Sequence, residues 1–350
     1  MSTKITIADI AAEAGVSVPT VSKVLNQRAD VSASTRRRVE LIIAQRGYIH
    51  SRSERAEELE IRRTNSIGRT GLIDLIVPDY LNSDYHLEII HGFEEVLNRT
   101  GQRMVLYSTH INTARVAEWS ETVSLQTTDG AFVFISDERY TSLETLLHRG
   151  IPLVVIDDTV KLSSDIPSVG ATNWAGALAA TEYLITLGHR RIGAIGGNIR
   201  HLTSRARVAG YRAALEAAGI AIDPSLIRYG DFHHEGGYVN TLAMLDQQHP
   251  PTAIFAGSDL QATGVYRALH SRGMSVPKDV SVIGFDDLPT GKWITPPLTT
   301  VRQPLREMGH LAANMLNRLI RGEKLETSRF ELATSLVVRE SCAPPLKLSH

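Results

Sequence analysis

The chain has 350 residues and is nearly neutral, with 37 Lys and Arg against 38 Asp and Glu. This length exceeds one typical domain and can bury a large core. The single cysteine, Cys342, excludes a disulfide framework, and no segment resembles a signal peptide or a membrane-spanning helix, so we expect a soluble, cytoplasmic protein.

Residues 6–26 predict two short helices joined by a tight turn. Thr6 can cap the first helix, with Asp9 three residues on in capping-box spacing. Gly15 can adopt a left-handed backbone, which ends that helix. The apolar residues that give the helix one inner face are Ile7, Ile10, Ala11 and Ala14.

The second predicted helix is capped by Ser17, and Pro19 in its first turn needs no backbone N–H donor. Its inner face is formed by Val21, Val24 and Leu25. Its outer face presents Val18, Pro19, Thr20, Ser22 and Lys23.

A third helical segment is predicted from Val31-Ser32 onward, with Thr35 near its cap and three arginines, 36–38, in its first turn. Residues 1–52 hold eight Lys and Arg against four Asp and Glu, and the remainder holds 29 against 34. A basic N-terminal part on a mildly acidic body suits a nucleic-acid-binding module. The alternative is any small three-helix unit in which Ala-Gly-Val-Ser is a simple turn.

These residues resemble the DNA-binding headpiece of the lactose-repressor (LacI/GalR) family. The strings that carry the resemblance are 14–17, 20–26, 31–32, 35–36 and 47–48. The resemblance implies a helix-turn-helix headpiece over residues 1–50, whose second helix enters the major groove.

Nine positions form the predicted DNA-binding set. The resemblance implies that Val18, Pro19 and Lys23 face base edges, because a long lysine reaches the bases and apolar side chains contact thymine methyls. It implies that phosphates are held by Ser17, Thr20, Ser22 and Asn26. Thr6 and Leu59 complete the set, and each member could instead be an ordinary exposed residue.

Residues 51–70 are predicted to be a charged hinge or linker. The family places here a hinge helix that inserts a leucine into the minor groove. This sequence departs from that pattern, since Glu54 and Glu57 occupy the expected alanine and leucine positions. Either the hinge is lengthened and Leu59 is the wedge, or the hinge does not bind the minor groove; Leu59 could also pack on the neighbouring domain.

From Gly71 onward, apolar runs alternate with helical segments, which predicts parallel sheets with right-handed crossovers. The predicted strands are 72–77, 103–107, 131–135, 153–156, 191–195, 253–256, 280–285, 298–301 and 332–338. The predicted helices are 85–99, 114–126, 141–149, 174–187, 205–218, 234–247, 260–272 and 304–321.

These elements predict an α/β fold: a small all-α headpiece followed by a two-lobed, doubly wound core over residues 71–345. The N-lobe is expected at about 71–168 and 301–325, and the C-lobe at about 169–296 and 330–342. Such a core resembles periplasmic sugar-binding proteins, and the resemblance to the family extends through 173–176, 187–192, 284–287 and 297–304.

Ligands of open α/β sheets bind beyond the carboxyl ends of the strands, and in a two-lobed protein those ends face one cleft. The residues there are rich in carboxylates, hydroxyls and aromatic rings, which suit a sugar. The predicted effector-binding residues are Tyr85, Asp157, Trp174, Arg207, Phe232, Ser258, Asp286 and Gln303. As alternatives, Trp174 and Phe232 could be core or interface aromatics, and Asp286 and Asp287 could cap the following segment.

Sequence signatures of catalysis are missing. Gly193–Gly197 does not match a dinucleotide-binding loop, and neither a nucleophile elbow nor a phosphate-binding loop is found. The cluster His233-His234-Glu235 lacks metal-ligand spacing. We therefore expect no catalytic residue, no cofactor and no metal.

The sequence as a whole predicts a ligand-responsive repressor of carbohydrate-utilisation genes. We expect a homodimer on a near-palindromic operator, with a sugar or oligosaccharide between the lobes, and no membrane partner. The alternative is a nucleobase- or nucleoside-responsive repressor, in which Tyr85, Trp174 or Phe232 stacks on a planar base. A carbohydrate enzyme or transport-type binding protein is disfavoured by the headpiece.

Overall fold

The computed structural model describes residues 7–25, 31–32, 35–39, 42, 69–77, 84–108, 123–134, 142–157 and 166–346. The chain divides into two units, residues 1–67 and 68–350. Thr6, Asn26 and Leu59 lie outside the described residues, as do most of the predicted hinge and most of the helix predicted at 114–126.

The first unit contains the predicted helix pair. Helix α1 spans Ile7–Ala14 and α2 spans Val18–Leu25. Gly15, between them, has a φ of 62°, the left-handed conformation that ends a helix without steric cost to glycine. A third helical segment covers residues 35–39. The buried side chains of the three segments form one small core: Ile10, Ala11, Ala14, Val21, Val24, Val39 and Ile42.

The second unit is built on two six-stranded sheets flanked by helices. The strands are β1 (Leu72–Val77), β2 (Arg103–Ser108), β3 (Gly130–Phe134), β4 (Leu153–Ile156), β5 (Ser168–Ala171), β6 (Ile192–Gly196), β7 (Ile227–Tyr229), β8 (Ala253–Ala256), β9 (Ser281–Asp286), β10 (Thr299–Arg302), β11 (Arg329–Leu332) and β12 (Ser335–Val337). The helices are α3 (Asp84–Thr100), α4 (Ser142–His148), α5 (Asn173–Thr186), α6 (Leu202–Ala217), α7 (His234–Leu245), α8 (Asp259–Ser271), α9 (Pro289–Trp293) and α10 (Leu305–Ile320).

The sheets have the doubly wound topology that the sequence predicts. The N-lobe sheet has the order β11-β5-β4-β3-β1-β2, and the C-lobe sheet has the order β12-β10-β9-β8-β6-β7. Neighbouring strands are parallel except for β12, which is antiparallel to β10. The strands β3 and β4 are continuous apolar runs, and β1 is interrupted by the buried Asp74, because helices cover both faces of a parallel sheet.

The predicted lobe boundaries differ from the structure by a few residues. The prediction of one late strand over 332–338 is wrong: that region holds β11 in the N-lobe and β12 in the C-lobe. Strand β5 was not predicted, and the expected division at residue 168 cuts it. Within residues 166–346, which are described throughout, the chain passes between the sheets three times: after β5, after β10 and after β11.

One residue of the C-lobe side is buried in the core of the N-lobe. Leu288, just after β9, is 3% exposed and packs in the cluster that contains Ile89, Phe93 and Met308. The carboxylate of Asp259 accepts the backbone N–H of Leu288 at 2.7 Å and fixes this loop. The segment that follows Asp286 therefore contacts both lobes.

Candidate functional site

Arg207 on α6 is the centre of the cleft-facing network. It is 4% exposed, and its guanidinium donates from Nε to Oδ1 of Asn173 at 2.7 Å and from Nη1 to the carbonyl of Gly257 at 2.5 Å. Its Nη1 also lies 3.5 Å from Oδ1 of Asp286. No hydrogen bond from its Nη2 is found among the described residues. The arginine is thus held in one orientation with one edge of its fork unused.

Asp286 ends β9 beside this arginine. Its Oδ1 accepts the Nε2 amide hydrogen of Gln303 at 2.7 Å, and the Oε1 of Gln303 is buried with no donor among the described residues. Burial raises the pKa of Asp286 to about 6, although the charge of Arg207 acts in the opposite direction. The φ of Asp286 is 122°, a conformation that only surrounding structure can hold.

Phe232 lies below the guanidinium group. Its ring centroid is 5.1 Å from the Cζ of Arg207, and the ring of Phe285 is 3.8 Å from the same atom. The ring lies so close to Gly197 that a Cβ there would overlap it. Phe232 also has a positive φ of 67°, and its carbonyl accepts the hydroxyl of Ser258 at 2.7 Å. Ser258 therefore positions Phe232.

Asp157 and Tyr85 form the N-lobe side of the cleft. The Tyr85 hydroxyl donates to Oδ2 of Asp157 at 2.7 Å. Burial raises the pKa of Tyr85 well above its ordinary value, and the adjacent charge of Asp157 raises it further. Asp157 has a φ of 52°, so three of the eight predicted effector residues have left-handed backbones in one cleft.

A cavity of about 300 Å³ opens beside Asp157. The residues that line it are Asp157, Gly170, Ala171, Thr172, Asn173, Trp174, Ala175, Leu202, Thr203, Ala206 and Glu331. Trp174 is 47% exposed there, so it is not a core aromatic of this chain. No Lys, Arg or His occurs among the described residues that line the cavity.

Two carboxylates near Asp286, those of Asp287 and Asp259, bond to other groups of the protein and have structural roles. Asp287 is paired with Arg302 at 2.6 Å and with Arg339, so its charge is neutralised within the protein. Asp259 is fully buried and holds Leu288 and Thr300. The alternative in which Asp286 or Asp287 caps the next segment is wrong, because α9 begins after Leu288 and has no side-chain cap.

The sequence pattern alone did not identify Asn173 and Glu331 as site residues. Asn173 is the second residue after β5 and Glu331 lies on β11, and neither strand was predicted in its place. The rule that sites follow strand ends would have found Asn173 if the short Ser168–Ala171 run had been recognised as a strand.

The predicted DNA-binding side chains that are described on and beside α2 are exposed or partly exposed. Val18 is 41% exposed, Ser17, Pro19 and Lys23 are exposed, and Thr20 and Ser22 are partly exposed. The hydroxyls of Ser17 and Thr20 lie 2.9 Å apart. Val21 and Val24, on the other side of the helix, are in the headpiece core, so α2 presents one exposed face.

The described residues give no sign of a metal site or a membrane-spanning helix. No group of three His, Cys, Asp or Glu in this part of the chain is placed to hold a metal ion. No helix in it has the length and apolar character needed to cross a bilayer.

Comparison with known proteins gives two family matches. Residues 6–51 match the model "Bacterial regulatory proteins, lacI family", and residues 181–342 match "Periplasmic binding protein-like domain". The HTH-type transcriptional repressor PurR of Haemophilus influenzae is 34% identical over 340 residues, which is 96% of this chain and 98% of that protein.

Two solved structures have the same fold over nearly the whole chain. A complex described as transcriptional regulator CelR with cellobiose has a TM-score of 0.74 and 31% identity, and covers 96% of this chain and 99% of that one. The lac repressor dimer bound to operator and the anti-inducer ONPF has a TM-score of 0.69 and 26% identity, and covers 97% and 100%.

Proposed function

Because the chain belongs to the lacI family of bacterial regulatory proteins, and is a ligand-responsive DNA-binding repressor, we propose that its effector is a sugar or oligosaccharide. The effector binds between the two lobes and changes the affinity for operator DNA. The genes under control are those of carbohydrate utilisation, and the protein acts in the cytoplasm, where that DNA is.

One observation carries the proposal for the effector site. Arg207 lies beside Asp286, and Asn173, which holds the Arg207 guanidinium, lines the same cavity as Asp157. Carboxylates accept hydrogen bonds from vicinal hydroxyls, and the unused edge of Arg207 donates to ring oxygens. The similar structure described as a complex of CelR with cellobiose supports a sugar as the effector.

The effector-binding residues are proposed as a set with two kinds of role. Asp157, Arg207, Asp286 and Gln303 offer polar atoms to the ligand, and Tyr85, Trp174 and Phe232 border it with aromatic rings. Ser258 acts through Phe232, since its hydroxyl is bonded to the carbonyl of that residue.

The DNA-binding surface is proposed to be the exposed face of α2 together with Thr6, Asn26 and Leu59, which are outside the described residues. Two such headpieces in a homodimer would bind the two half-sites of a near-palindromic operator. The operator-bound dimer among the similar structures supports this arrangement.

A thermal-shift screen tests the effector class. The full-length protein is heated with neutral mono- and disaccharides and, separately, with nucleobases and nucleosides. We expect stabilisation by a sugar, since a ligand that binds only the folded state raises the melting temperature. Stabilisation by a nucleobase with no response to any sugar would contradict the proposal in favour of the alternative effector.

A gel-shift titration tests the DNA surface. Lys23→Ala should weaken binding to operator DNA and reduce discrimination against a scrambled site. Lys292→Ala, which removes the same charge from an exposed position in the second unit, is the control and should leave binding unchanged. Equal operator affinity of Lys23→Ala and wild type would show that α2 is not the recognition helix.

A further inference from the structure

The chain that enters β1 from the linker is bonded to the N-lobe sheet. The carboxylate of Asp129, which directly precedes β3 and is 6% exposed, accepts the backbone N–H of Thr70 at 2.7 Å and the Thr70 hydroxyl at 2.9 Å. The other oxygen of Asp129 accepts the backbone N–H of Gly71 at 2.9 Å. Thr70 and Gly71 are therefore fixed to the sheet by one buried carboxylate.

The residue before this anchor, Arg69, is bonded to a helix instead. Its Nη2 donates to the carbonyl of Ile320, the last residue of α10, at 2.6 Å. The carbonyls of residues 317–319 accept the backbone N–H groups of residues 321–323, so Arg69 supplies a donor for the remaining carbonyl of the last turn. A cation at a helix C-terminus also interacts favourably with the helix dipole.

Helix α10 connects this bond to the proposed effector-binding residues. It begins two residues after Gln303, whose Nε2 donates to the Asp286 carboxylate at 2.7 Å. Its 16 residues extend about 24 Å to Ile320. At that end, a Cβ on Gly130 would lie 3.0 Å from the Cδ1 of Leu316 and 3.5 Å from the Cδ1 of Ile320. The last turns of α10 thus lie over the start of β3, next to Asp129.

A second helix holds α10 as a unit. At two points α10 contacts α3 through backbone atoms, without a side chain between the helices. A Cβ on Gly92 would overlap the carbonyl oxygen of Arg306, and a Cβ on Gly309 would overlap that of Ile89. Packed backbones cannot absorb a displacement by changing rotamers, so a force on one end of α10 moves the whole helix.

The bonds of Arg69 and of Thr70 thus have partners in different layers of the N-lobe. Asp129 holds Thr70 to the sheet, and the Ile320 carbonyl holds Arg69 to α10. Because Gln303 is bonded to Asp286 of the C-lobe, a change in lobe orientation acts on α10 where it begins. A shift of α10 along the sheet then turns the chain about Thr70, at the point where the chain continues to the linker and the headpiece.

We propose that Arg69 is a positioning residue that couples the effector site to the linker through the Ile320 carbonyl. It transfers a displacement of α10 to the chain that carries the headpiece, and so sets how strongly the effector changes operator affinity. This inference rests on the proposed function, because it requires an effector between the lobes. If Arg69 only capped α10, its loss would lower stability and leave the coupling unchanged.

Operator titrations with and without effector test the coupling. The DNA probe is a duplex that the wild-type protein selects from a random-sequence pool. The effector probe is the compound of the thermal-shift panel that raises the melting temperature most. Coupled sites typically change each other's affinity by about 5–150-fold, and we expect Arg69→Ala to reduce this ratio to less than about twofold. The affinity of the free protein for the effector, measured by calorimetry, should stay within about twofold of wild type.

Arg69→Lys and Arg103→Ala are the matched variants. Lysine keeps the charge and one donor, so Arg69→Lys should retain part of the coupling. Arg103 is exposed, and its backbone N–H donates to the Gly71 carbonyl at 2.8 Å. Arg103→Ala removes the same charge beside the same anchor and leaves the bond to α10 in place, so it should keep the wild-type ratio. Urea unfolding checks that each variant is folded.

Hydrogen exchange gives a second measurement that needs no effector. Because coupling is reciprocal, the selected duplex should slow exchange of the backbone amides of residues 321–323 in wild type and Arg103→Ala, but not in Arg69→Ala. The inference is overturned if Arg69→Ala keeps either the wild-type ratio or the wild-type exchange response, or if Arg103→Ala loses them equally. A wild-type operator affinity that no compound of the panel changes would overturn the proposed function, and the exchange response then still decides the role of Arg69.

Discussion

The two halves of the cleft differ in how their polar groups are satisfied. Around Arg207, most hydrogen-bonding capacity is used within the protein: Asn173, Gly257 and Asp286 all contact one guanidinium. Around the cavity, Thr203 and Glu331 have no partner among the described residues. We call these two regions the arginine cluster and the open cavity.

This difference indicates that the arginine cluster is the rigid region and the open cavity the selective one. A site held within a fraction of an ångström needs side chains whose own rotamers are fixed by neighbours, as in the arginine cluster. Selectivity comes from polar groups that the protein itself does not bond and that a ligand can reach, as in the open cavity. We therefore expect substitutions in the cluster to reduce both stability and binding, and substitutions at the cavity to change binding alone.

The largest effect is expected from Arg207→Ala. It leaves the buried Asp286 facing the cleft without its cation and removes the donors to Asn173 and Gly257. Loss of one partner of a buried ion pair costs about 3–5 kcal/mol, so the free energy of unfolding in urea should fall by that order and effector binding should be lost. Arg272→Ala, which breaks an exposed ion pair with Asp246, is the control and should change little. Unchanged stability of Arg207→Ala would mean that the cluster is not a rigid frame.

Gly197→Ala should have the next largest effect. A Cβ at this position overlaps the Phe232 ring, and Phe232 has little freedom to move because its backbone is left-handed and its carbonyl is bonded to Ser258. Overpacking of this kind costs about 1–3 kcal/mol, measurable as a lower melting temperature together with weaker effector binding. Gly170→Ala is the matched comparison, since its Cβ would lie 3.8 Å from the Asp157 carboxylate, an ordinary contact in the cavity. Equal loss of stability in both variants would remove the distinction between the two regions.

The pH dependence of effector binding sharpens the comparison. Burial raises the pKa of Asp286 from 3.8 to about 6, so the carboxylate that accepts ligand hydroxyls is protonated as the pH falls below about 6. Affinity measured by calorimetry should be constant above pH 7 and fall by up to about tenfold at pH 5.

The contribution of Asp286 to the free energy of unfolding changes with pH in the opposite direction. A raised carboxyl pKa stabilises the folded state fully below the unfolded-state pKa, and this stabilisation is lost as the pH rises to about 6. Affinity that does not vary between pH 7.5 and pH 5 would show that the ligand does not depend on the Asp286 carboxylate.

The smallest effect is expected from Tyr85→Phe. It removes the 2.7 Å hydrogen bond to Asp157 and keeps the aromatic ring. A hydrogen bond to a charged group contributes about 1.5–3 kcal/mol, but Asp157 borders an open cavity where solvent replaces part of the loss, so we expect about 1 kcal/mol in urea unfolding. Effector binding should weaken only slightly. A larger effect than that of Gly197→Ala would show that the N-lobe side is as rigid as the cluster.

Much of the fold could be predicted from local patterns. Mostly apolar runs of four to six residues located β1, β3, β4 and β9, since a strand covered on both faces buries nearly all of its side chains. Strands β5 and β11 were not predicted because each is four residues long and its apolar run is interrupted, by Gly170 in β5 and by Glu331 in β11. Their pairing depends on contacts between distant parts of the chain.

The candidate site could be predicted to the extent that its residues follow strand ends. That rule located Asp157 and Asp286, each placed directly after or at the end of a strand. It could not show that Asp287, unlike Asp286, is paired with two arginines, because only the fold brings Arg302 and Arg339 to Asp287. It could not show that Thr203 and Glu331 stay unpaired, since that depends on every neighbour in space.

The three passages of the chain between the two sheets have a consequence for the order of synthesis. The N-lobe begins with β1, yet its sheet is complete only when β11 is added, and its core requires α10, with Met308 and Leu316, which also comes late. The entire C-lobe sheet except β12 is synthesised in between. Chains emerge from the ribosome N-terminus first, so the lobe that starts first is finished almost last. During translation the C-lobe can therefore form most of its core before α10 and β11 are synthesised. Strands β1–β5 of the N-lobe have no complete core until then.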